Sequence, residues 1–459
     1  MSSSSKPIVA LVGRPNVGKS TLFNRLVGQR KAIVEDLAGT TRDRLYGDAD
    51  WGGRDFIVVD TGGLDLNPTP PKHEQSGFQA GAASRLFLQE IRSQAEIAMN
   101  EAEVIVLLVD GNDGVTAADE DVAELLRRTD KPVVLGVNKA DNKQRREEAV
   151  EFYALGLDSD PIPISALHGT GTGDLLDAIV ESLPMVEEEE EDDDSIKIAI
   201  LGRPNVGKSS LVNKLLGEDR VIVSNVPGTT RDAIDTRIEY EGQDLVLIDT
   251  AGIRRRGKIE PGVEKHSFLR TIKAVGRADV CLLLLDAGEL VTAQDAHIAS
   301  YILEESKSVV VVVNKWDTVE KDTYTINEYS KKVRQALKFM DYVPVMFISA
   351  KTGQRVNKVL STAMEVYNTS LERIPTSEIN RLLRDAVAAH PPKGTHRHRL
   401  KFLYATQAGV SPPTFIFFVN DSSLVHFTYQ RYLENKIRER YGFAGTPLRL
   451  FFRNRSEKD

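Results

Sequence analysis

An eight-residue segment that occurs twice constrains this chain more than any other feature. GRPNVGKS stands at 13–20 and again, letter for letter, at 202–209. Each copy follows a short apolar run, IVALV or IAIL, and leads into a pattern with helical periodicity. In a strand, glycine loop and helix of this kind, backbone N–H groups surround phosphate oxygens at the positive end of a helix dipole. The repeat therefore predicts two phosphate-binding loops.

Further motifs repeat at fixed distances from these loops. GTTRD at 39–43 and DTGG at 60–63 recur 189 residues later, the second as DTAG. NKAD at 138–141 recurs as NKWD only 176 residues later. The first copy therefore carries 13 additional residues, which we place in a proline-rich surface loop around 68–73.

Between the motifs, near-continuous apolar runs alternate with helical patterns in both copies. VIVLLVD and PVVLGVNK of the first copy correspond to VCLLLLD and VVVVVNK of the second. Such runs are typical of parallel strands that are buried on both faces. We therefore predict two doubly wound α/β domains with mostly parallel sheets. Their motifs lie at the carboxyl ends of strands, where open sheets bind ligands.

A chain of 459 residues is long enough for about three domains. We predict the first α/β domain at 6–185, the second at 196–370 and a third domain at 371–453. A linker at 186–195 contains EEEEEDDD, eight successive like charges that repel one another and resist burial. The linker is expected to be extended, with metal or partner binding as the alternative.

The third domain differs from the other two in pattern and in charge. Its helical and strand patterns follow the order α-β-β-α-β, with Thr376 or Ser377 expected to cap the first helix. Although the whole chain has a net charge of −8, residues 371–459 carry fifteen Lys or Arg and eight Asp or Glu. This local excess of positive charge is what an RNA partner requires, and we expect no DNA partner.

Two absences in the sequence narrow the class of protein. No apolar run approaches the roughly 18 residues that a membrane helix requires, so we predict no membrane span. The single cysteine, Cys281, lies within the run VCLLLLD and is expected to be buried. A disulfide framework and a cysteine metal site are therefore excluded.

The phosphate loops and the DTGG and DTAG motifs predict a triphosphate with Mg²⁺. In the first copy, Lys19 is expected to reach the β- and γ-phosphates and Ser20 to ligate Mg²⁺. Asp60 suits a partner of Mg²⁺ through water, and the glycine after Thr61 lets a backbone N–H approach the γ-phosphate. A plain Asp-Gly turn is the alternative for one copy. It does not explain two copies at the same offset.

The NKAD and NKWD motifs predict that the base is guanine. The Asp141 carboxylate can accept hydrogen bonds from N1–H and the amino group of guanine, whereas adenine would leave it unpaired. Two such bonds give roughly a 10²–10⁴-fold preference for GTP over ATP. Lys139 is expected to lie along the base and Asn138 to tie this loop to the phosphate loop. Ser165 and Ala166 are expected to offer backbone N–H to the guanine oxygen.

Threonines between the phosphate loop and the DTGG or DTAG motif suit a mobile segment that places a hydroxyl on Mg²⁺ when γ-phosphate is present. They are Thr40 and Thr41 in the first copy and Thr229 and Thr230 in the second. Polar turn residues are the alternative, and the sequence does not decide which threonine of each pair is the ligand.

The predicted sites are as follows. The first copy holds the nucleotide with Gly13, Arg14, Pro15, Asn16, Val17, Gly18, Lys19, Ser20, Asp60, Thr61, Gly62, Gly63, Leu64, Asn138, Lys139, Ala140, Asp141, Ser165 and Ala166. The second copy uses Gly202, Arg203, Pro204, Asn205, Val206, Gly207, Lys208, Ser209, Asp249, Thr250, Ala251, Gly252, Ile253, Asn314, Lys315, Trp316, Asp317, Ser349 and Ala350. The predicted metal ligands are Ser20, Thr41, Asp60, Ser209, Thr230 and Asp249.

The order GRPNVGKS, TTRD, DTxG and NKxD, duplicated and followed by a basic α+β domain, resembles the tandem GTPase family called EngA or Der, of the Era-like branch. The resemblance covers essentially the whole chain. It implies two G domains, a KH-like C-terminal domain, and a GTP-hydrolysing switch that binds the large ribosomal subunit and its rRNA during assembly. A non-enzymatic nucleotide-dependent scaffold or sensor is the alternative. We expect a cytoplasmic location in a bacterium, or an organelle stroma or matrix if a transit peptide has been removed.

Leu64 and Ile253 stand where Ras-type GTPases place a water-positioning Gln, so hydrolysis is expected to be slow without help. The resemblance implies that K⁺, held partly by Asn16 and Asn205, stabilises the developing charge, and that ribosomal particles stimulate hydrolysis. Asn as a plain turn residue is the alternative. The implied catalytic residues are Asn16, Thr40, Thr41, Asn205, Thr229 and Thr230.

The C-terminal domain departs from ordinary KH domains, which clamp RNA with a GxxG loop between helices. Its GxxG segment, at 442–445, follows the last helix and is expected to be a helix C-cap and turn. Basic side chains are instead expected to meet rRNA phosphates, with solvated surface charge as the alternative. They are Lys393, Arg397, Arg399, Lys401, Arg431, Lys436, Arg438 and Arg440.

Overall fold

The computed structural model describes residues 6–28, 46–61, 96, 98–99, 102–184, 195–218, 220–223, 235–250, 263–320, 322, 324–392 and 399–454, with 263–269 as backbone alone. The chain divides into two compact units, one with the first sheet and one with the second and third sheets. The acidic run of the linker, at 187–194, and the proline-rich loop fall outside the described residues. The domain bounds stay predictions.

The first unit contains the first predicted α/β domain. Its strands are β1 (Ile8–Val12), β2 (Tyr46–Trp51), β3 (Arg54–Asp60), β4 (Val104–Asp110), β5 (Val133–Asn138) and β6 (Pro161–Pro163). Its α-helices are α1 (Lys19–Gly28), α2 (Ala117–Leu126), α3 (Lys143–Glu148) and α4 (Thr172–Ser182), and residues Ala149–Leu155 form a 3₁₀ helix. The sheet order is β2-β3-β1-β4-β5-β6, with β2 antiparallel to β3 and the other pairs parallel.

The central strands of this sheet are buried along their whole length. All five residues of β1 and all seven of β4 are buried, as their unbroken apolar sequences predict. Strand β1 lies between β3 and β4, so the connections from β1 and from β3 run in opposite directions across the sheet. The strand order therefore reverses at the carboxyl end of β1. A ligand crevice forms at such a point, and the phosphate loop follows β1 there.

The second predicted α/β domain repeats this arrangement. Its strands are β7 (Ile196–Leu201), β8 (Val221–Val223), β9 (Thr236–Tyr240), β10 (Gln243–Ile248), β11 (Val280–Asp286), β12 (Ser308–Asn314) and β13 (Val345–Phe347). Its α-helices are α5 (Lys208–Leu215), α6 (Val263–Arg277), α7 (Ala293–Glu304), α8 (Thr325–Ala336) and α9 (Asn357–Ser370), with 3₁₀ helices at Trp316–Thr318 and Lys338–Met340. The sheet order is β13-β12-β11-β7-β10-β9-β8, in which β8, β9 and β10 pair antiparallel.

The same N-terminal cap begins α2 in the first domain and α7 in the second. The Thr116 hydroxyl accepts the backbone N–H of Asp119, while the Asp119 carboxylate accepts the backbone N–H of Thr116. Thr292 and Asp295 form the same reciprocal pair. This capping box satisfies N–H groups that a helix start leaves unpaired, and it holds each Asp in place.

The C-terminal domain has the predicted order of elements. It contains α10 (Thr376–Ala389), β14 (Phe402–Gly409), β15 (Thr414–Val419), a 3₁₀ helix at Ser422–Leu424, α11 (Phe427–Tyr441) and β16 (Arg449–Asn454). Strand β15 lies between β14, antiparallel to it, and β16, parallel to it. The predicted cap of α10 is wrong. Pro375 is the N-cap and no side chain caps the helix, because Thr376 and Ser377 already lie within it.

The described residues bear on two features of the sequence. No described helix is both long enough and apolar enough to cross a membrane. Cys281 lies in β11 and is fully buried. Burial raises the pKa of its thiol to about 12.

Candidate functional site

The first phosphate loop leaves β1 and enters α1 as predicted. Gly13 and Gly18 have φ angles of 152° and 101°. A Cβ atom on Gly13 would lie 2.2 Å from the Leu108 carbonyl oxygen, and one on Gly18 would lie 2.2 Å from Asn138 Nδ2. Glycine is therefore required at both ends of the loop, because the backbone passes this close to its neighbours.

The loop lysines lie over their own loops. Lys19 Nζ donates hydrogen bonds to the carbonyl oxygens of Gly13, at 2.6 Å, and Arg14, at 2.9 Å. Lys208 Nζ donates to the equivalent oxygens of the second loop at 2.5 and 2.8 Å. Each ammonium group is thus held at the loop, where it can meet phosphate oxygens.

The predicted metal ligands of the first copy come together in part. Ser20 Oγ donates a hydrogen bond to Asp60 Oδ2 at 2.7 Å, so the hydroxyl and the carboxylate meet at the carboxyl ends of β1 and β3. Oxygen ligands of this kind suit Mg²⁺, which binds proteins through one or two such groups and keeps several waters. In the second copy, Asp249 has φ of 55° and its N–H donates to Asp235 Oδ1 at 2.9 Å.

Several predicted residues lie outside the described residues. They are Thr40, Thr41, Gly62, Gly63 and Leu64 in the first copy, and Thr229, Thr230, Ala251, Gly252 and Ile253 in the second. The roles predicted for them stay predictions.

The base-recognition motif of the first copy is joined to the phosphate loop, as predicted. Asn138 is buried, and its Nδ2 donates to the Val17 carbonyl oxygen at 2.7 Å. Its Oδ1 accepts the Ala166 N–H at 2.8 Å. Ser165 Oγ donates to Asp141 Oδ1 at 2.6 Å, which orients the carboxylate. The Asn138 side chain therefore connects its own loop to the phosphate loop and to the loop that contains Ala166.

The second copy has the same connections. Asn314 Nδ2 donates to the Val206 carbonyl oxygen at 2.9 Å, and Asn314 Oδ1 accepts the Ala350 N–H at 2.9 Å. Ser349 Oγ donates to Asp317 Oδ1 at 2.6 Å. In both copies the backbone N–H predicted to bind the guanine oxygen, that of Ala166 or Ala350, already donates to Oδ1 of the buried Asn, because a buried amide oxygen requires a donor. If the same N–H also binds guanine, it is shared between the Asn oxygen and the guanine oxygen.

The side chains at the third position of the NKAD and NKWD motifs belong to the core. Ala140 is fully buried and Trp316 is 1% exposed. The Trp316 ring packs edge-on against Tyr329, at 5.1 Å, and tilted against Phe347, at 4.6 Å. An apolar side chain at the third position of NKxD anchors the loop by burial.

The sequence interpretation missed an acidic partner of the base-side lysine. Lys139 Nζ lies 2.5 Å from Asp110 Oδ2, and Lys315 Nζ lies 2.7 Å from Asp286 Oδ2. Burial works to raise the pKa of Asp286, but hydrogen bonds from Lys315 and the Gly288 N–H, with the Lys315 and Arg203 charges, hold it below its usual range. These aspartates end β4 and β11 at the same 176-residue offset as the lysines, a signal that could have found them.

The arginine of each phosphate loop has a partner that was also missed. Arg14 Nε lies 3.1 Å from Asp119 Oδ1, and Arg14 Nη2 lies 3.0 Å from Asp113 Oδ2. Arg203 pairs in the same way with Glu289, at 2.6 Å, and with buried Asp295, at 3.5 Å. The phosphate loop is thereby linked to the capping box of the helix that follows β4 or β11.

Asn16 and Asn205 have φ angles of 67° and 63°. Asn tolerates this left-handed conformation better than most residues, which supports the turn alternative. The implied role in holding K⁺ stays a prediction.

Comparison with known proteins decides the family. A family model described as 50S ribosome-binding GTPase matches residues 8–139 and 197–315, and one described as KH-domain-like of EngA bacterial GTPase enzymes, C-terminal, matches 373–453. The chain is 56% identical to GTPase Der of Chloroflexus aggregans and 53% identical to GTPase Der of Desulforamulus reducens. Both alignments cover 99% of this chain and 99% of the relative. The chain belongs to the EngA/Der family of GTPases.

As a member of the EngA/Der family, the chain binds GTP and GDP and hydrolyses GTP in two GTPase domains, followed by a KH-like domain. The non-enzymatic alternative loses its support. Among solved structures, Era in complex with MgGDPNP and nucleotides 1506–1542 of 16S ribosomal RNA is 21% identical, covering 57% of this chain and 94% of that chain. Its TM-score is 0.30, too low to weigh in the assignment.

The GxxG segment of the EngA/Der chain is a helix cap, as predicted, and it also has a function that was missed. Gly442 ends α11, donating its N–H to the Arg438 carbonyl oxygen at 2.9 Å. Gly445 is paired with the second G domain on both sides. Its carbonyl oxygen accepts the Val309 N–H at 2.7 Å, and its N–H donates to the Tyr342 carbonyl oxygen at 3.0 Å. The loop therefore fastens the KH-like domain to the beginning of β12.

One basic residue assigned to rRNA phosphates is placed elsewhere. The Arg438 side chain is 12% exposed, pairs with Glu434, and donates to the carbonyl oxygens of Phe443 and Thr446, each at 2.9 Å. Its guanidinium also lies over the Tyr342 ring, 3.8 Å from the centroid. Because it supports the GxxG loop, the prediction for Arg438 is corrected. Lys393 and Arg397 lie outside the described residues.

Proposed function

We propose that this GTPase is a nucleotide-controlled switch in the assembly of the large ribosomal subunit. In this role GTP in the G domains controls docking on the particle, and hydrolysis releases it. A family description as 50S ribosome-binding GTPases supports the choice of partner. The excess of basic residues after position 371 supports contact with rRNA phosphates.

One structural observation carries this proposal. Strand β12 ends at Asn314, which holds the second nucleotide pocket together, and begins at Ser308 and Val309, which contact the KH-like domain. Ser308 Oγ and Thr446 Oγ1 are 3.1 Å apart, in addition to the bond between Val309 and Gly445. A buried seven-residue strand thus connects the base-recognition loop to the domain expected to meet RNA. Coupling requires such a contiguous physical link.

The residues of the first pocket fit Mg²⁺, since a hydroxyl and a carboxylate already meet there. Ser20 and Asp60 would hold it, Asp60 through water, and the metal would neutralise charge on the β- and γ-phosphates. Lys19 adds a positive charge at the same end of the loop. We also propose K⁺ as a second cation, partly held by Asn16 and Asn205, because Leu64 and Ile253 cannot orient water by hydrogen bonding.

The proposed partner also indicates the compartment. Large ribosomal subunits are assembled in the cytoplasm of a bacterium or in the stroma or matrix of an organelle.

Of the basic residues predicted to contact rRNA phosphates, those that are exposed in the structure are Arg399, Lys401, Arg431 and Arg440.

Co-sedimentation tests the switch. The intact chain is spun with large ribosomal particles in the presence of GTP, a non-hydrolysable GTP analogue, or GDP. We expect the highest occupancy with the analogue and the lowest with GDP, and small-subunit particles serve as the control. Equal occupancy in all nucleotides would refute the switch, and equal occupancy on both subunits would refute the choice of partner.

A further inference from the structure

The C-terminal sheet has one face on the helices and one face that carries aromatic rings toward solvent. In β15, Phe415, Phe417 and Val419 are buried, while the alternating residues are only half-buried. On the neighbouring strands Tyr404 is 43% exposed and Phe451 is 44% exposed. An antiparallel or mixed sheet with one packed face usually places polar side chains on the other. We call this surface, formed by Tyr404, Thr406, Ile416, Phe418, Phe451 and Arg453, the outer sheet face.

The strand register arranges these side chains in two rows. Tyr404 is opposite Phe418, and Phe418 is opposite Arg453. The Tyr404 and Phe418 rings are stacked, with centroids 4.2 Å apart and planes at 14°. In the adjacent row, Ile416 lies between Thr406 and Phe451. The face therefore offers a rigid aromatic pair and a third ring beside it, with a guanidinium at the end of the first row.

The charge of this sheet is of one sign. Strands β14, β15 and β16 contain Arg449 and Arg453 and no Asp or Glu. Arg399 and Lys401, both exposed, lead into β14. Aromatic rings with interspersed cations on an open sheet match the chemistry of an unpaired nucleic-acid strand, whose bases stack on rings and whose phosphates pair with Arg and Lys. Acidic side chains, which would repel phosphates, are absent from these strands.

We propose that the outer sheet face binds single-stranded RNA. Unpaired bases stack on Tyr404, Phe418 and Phe451, and phosphates pair with Arg453. This inference deepens the proposed function, on which it rests for the identity of the partner as ribosomal RNA. It assigns recognition to the sheet and not to the GxxG loop, which is fastened to the second G domain.

Binding of a short oligonucleotide to the intact chain tests the inference. The probe is a fluorescent twelve-nucleotide uridine RNA, followed by anisotropy at low salt. Tyr404→Ala and Phe451→Ala are each expected to weaken binding about 5- to 100-fold, while Tyr404→Phe keeps the ring and binds normally. Phe427→Ala removes a ring that is 54% exposed on α11, away from the sheet, and is the matched control. Unchanged unfolding midpoints show that each variant is folded.

The ionic part of the contact has its own test. Arg453→Gln is expected to reduce the slope of log affinity against log salt by about one unit, and Arg453→Lys to restore it. Duplex RNA of the same length is expected to compete poorly, because its bases are already stacked in pairs.

Three outcomes would overturn the inference. The first is oligonucleotide affinity that is the same in Tyr404→Ala, Phe451→Ala and Phe427→Ala. The second is competition by duplex RNA as strong as by single strands. The third is loss of co-sedimentation with ribosomal particles in Tyr404→Ala while oligonucleotide affinity is unchanged, which assigns the face to a protein contact. Each leaves nucleotide-dependent co-sedimentation of the wild-type chain intact, so the proposed function is judged separately.

Discussion

The Val309 N–H donates a hydrogen bond to the Gly445 carbonyl oxygen at 2.7 Å, across the boundary between the second G domain and the KH-like domain. Gly445 has φ of 73°, and a Cβ there would lie 2.7 and 2.8 Å from the Val366 methyl groups and 2.9 Å from the Val309 carbonyl oxygen. The KH-like domain therefore approaches the strand at a distance that only glycine permits.

Gly445→Ala is expected to destabilise this junction. Positive φ costs alanine about 1–3 kcal/mol, and overpacking against Val366 and β12 adds about 1–3 kcal/mol. Gly442→Ala is the matched control, because Gly442 has φ of 84° but no atom within 4 Å of its Cβ position. Urea unfolding of the intact variants measures both. Equal losses of stability would show that the close approach at Gly445 has no energetic effect.

Asp317→Asn is expected to convert the second pocket from guanine to xanthine nucleotides. The amide no longer accepts two hydrogen bonds, so affinity for GDP falls roughly 10²–10⁴-fold, while its NH₂ can donate to the additional oxygen of xanthine. Titration calorimetry with GDP is expected to show one tight site in place of two, the first pocket serving as internal control. Asp141→Asn is expected to give the reciprocal result. Two tight GDP sites in either variant would contradict this account of base recognition.

Asp119 is expected to make the stability of the first G domain depend on pH. Burial raises the pKa of this carboxyl, although Thr116 and Arg14 work to lower it. The folded domain therefore binds the proton more tightly than the unfolded chain does. The stabilising effect of that proton is complete below the ordinary carboxyl pKa, about 3.9, and is lost as pH rises through the raised value.

Substitution isolates this effect. Asp119→Asn is expected to flatten the loss of stability with rising pH, whereas Asp113→Asn, the exposed partner of the same arginine, is expected to keep it. Fluorescence of Trp51, in a Trp316→Phe background, follows unfolding of the first domain in urea at each pH. Parallel curves for wild type and Asp119→Asn would exclude Asp119 as the source.

Cys281 is expected to report on the second G domain alone. The thiol is buried and its pKa is raised to about 12, so iodoacetamide can reach it as a thiolate only after the domain opens. GDP at 100 times its dissociation constant is expected to slow labelling about 100-fold, since binding stabilises the closed state by about 2.7 kcal/mol. Asp317→Asn is expected to abolish this protection and Asp141→Asn to preserve it. Protection that survives Asp317→Asn would contradict the assignment of the second pocket.

Potassium is expected to increase GTP turnover several-fold relative to sodium at equal ionic strength. The reason is the absence of a glutamine at Leu64 and Ile253, which leaves charge stabilisation to a cation beside Asn16 and Asn205. Steady-state phosphate release in the two salts measures the effect. Asn16→Gly with Asn205→Gly keeps the left-handed φ and removes the side-chain oxygen, so it should erase the difference. Equal rates of the wild type in both salts would exclude K⁺.

Much of each pocket could be predicted because its parts are encoded locally. Gly18, Lys19 and Ser20 are neighbours in sequence, and Asn138 follows an apolar strand whose end meets β1 in any doubly wound sheet. The ion pairs between Lys139 and Asp110 and between Arg14 and Asp119 depend on how separate strands and helices pack together. The sequence of a motif does not specify how close its side chains come to residues of another element. Asp110 and Asp119 both recur 176 residues later, as Asp286 and Asp295, and the interpretation of the motifs did not use this signal.

Other features could not be read from local pattern. The docking of Gly445 depends on a contact between domains. The sequence GxxG is equally compatible with a loop that makes no such contact. Trp316 is part of a nucleotide motif, yet its side chain fills an aromatic core with Tyr329 and Phe347. The position of Trp316 within the motif does not show that its side chain is buried, and this burial makes it a core residue.

Strand β6 has a consequence for the behaviour of the chain in concentrated solution. It is the last strand of the first sheet, and the N–H of Ile164, directly after it, points inward to the Val137 carbonyl oxygen. Because neighbouring residues of a strand alternate in direction, Pro161 and Pro163 occupy the positions that face outward, and proline has no N–H to offer a foreign strand. This edge of the first sheet is thereby protected against pairing with a strand of another chain, whereas β13 of the second sheet has Val345 and Phe347 at the corresponding positions.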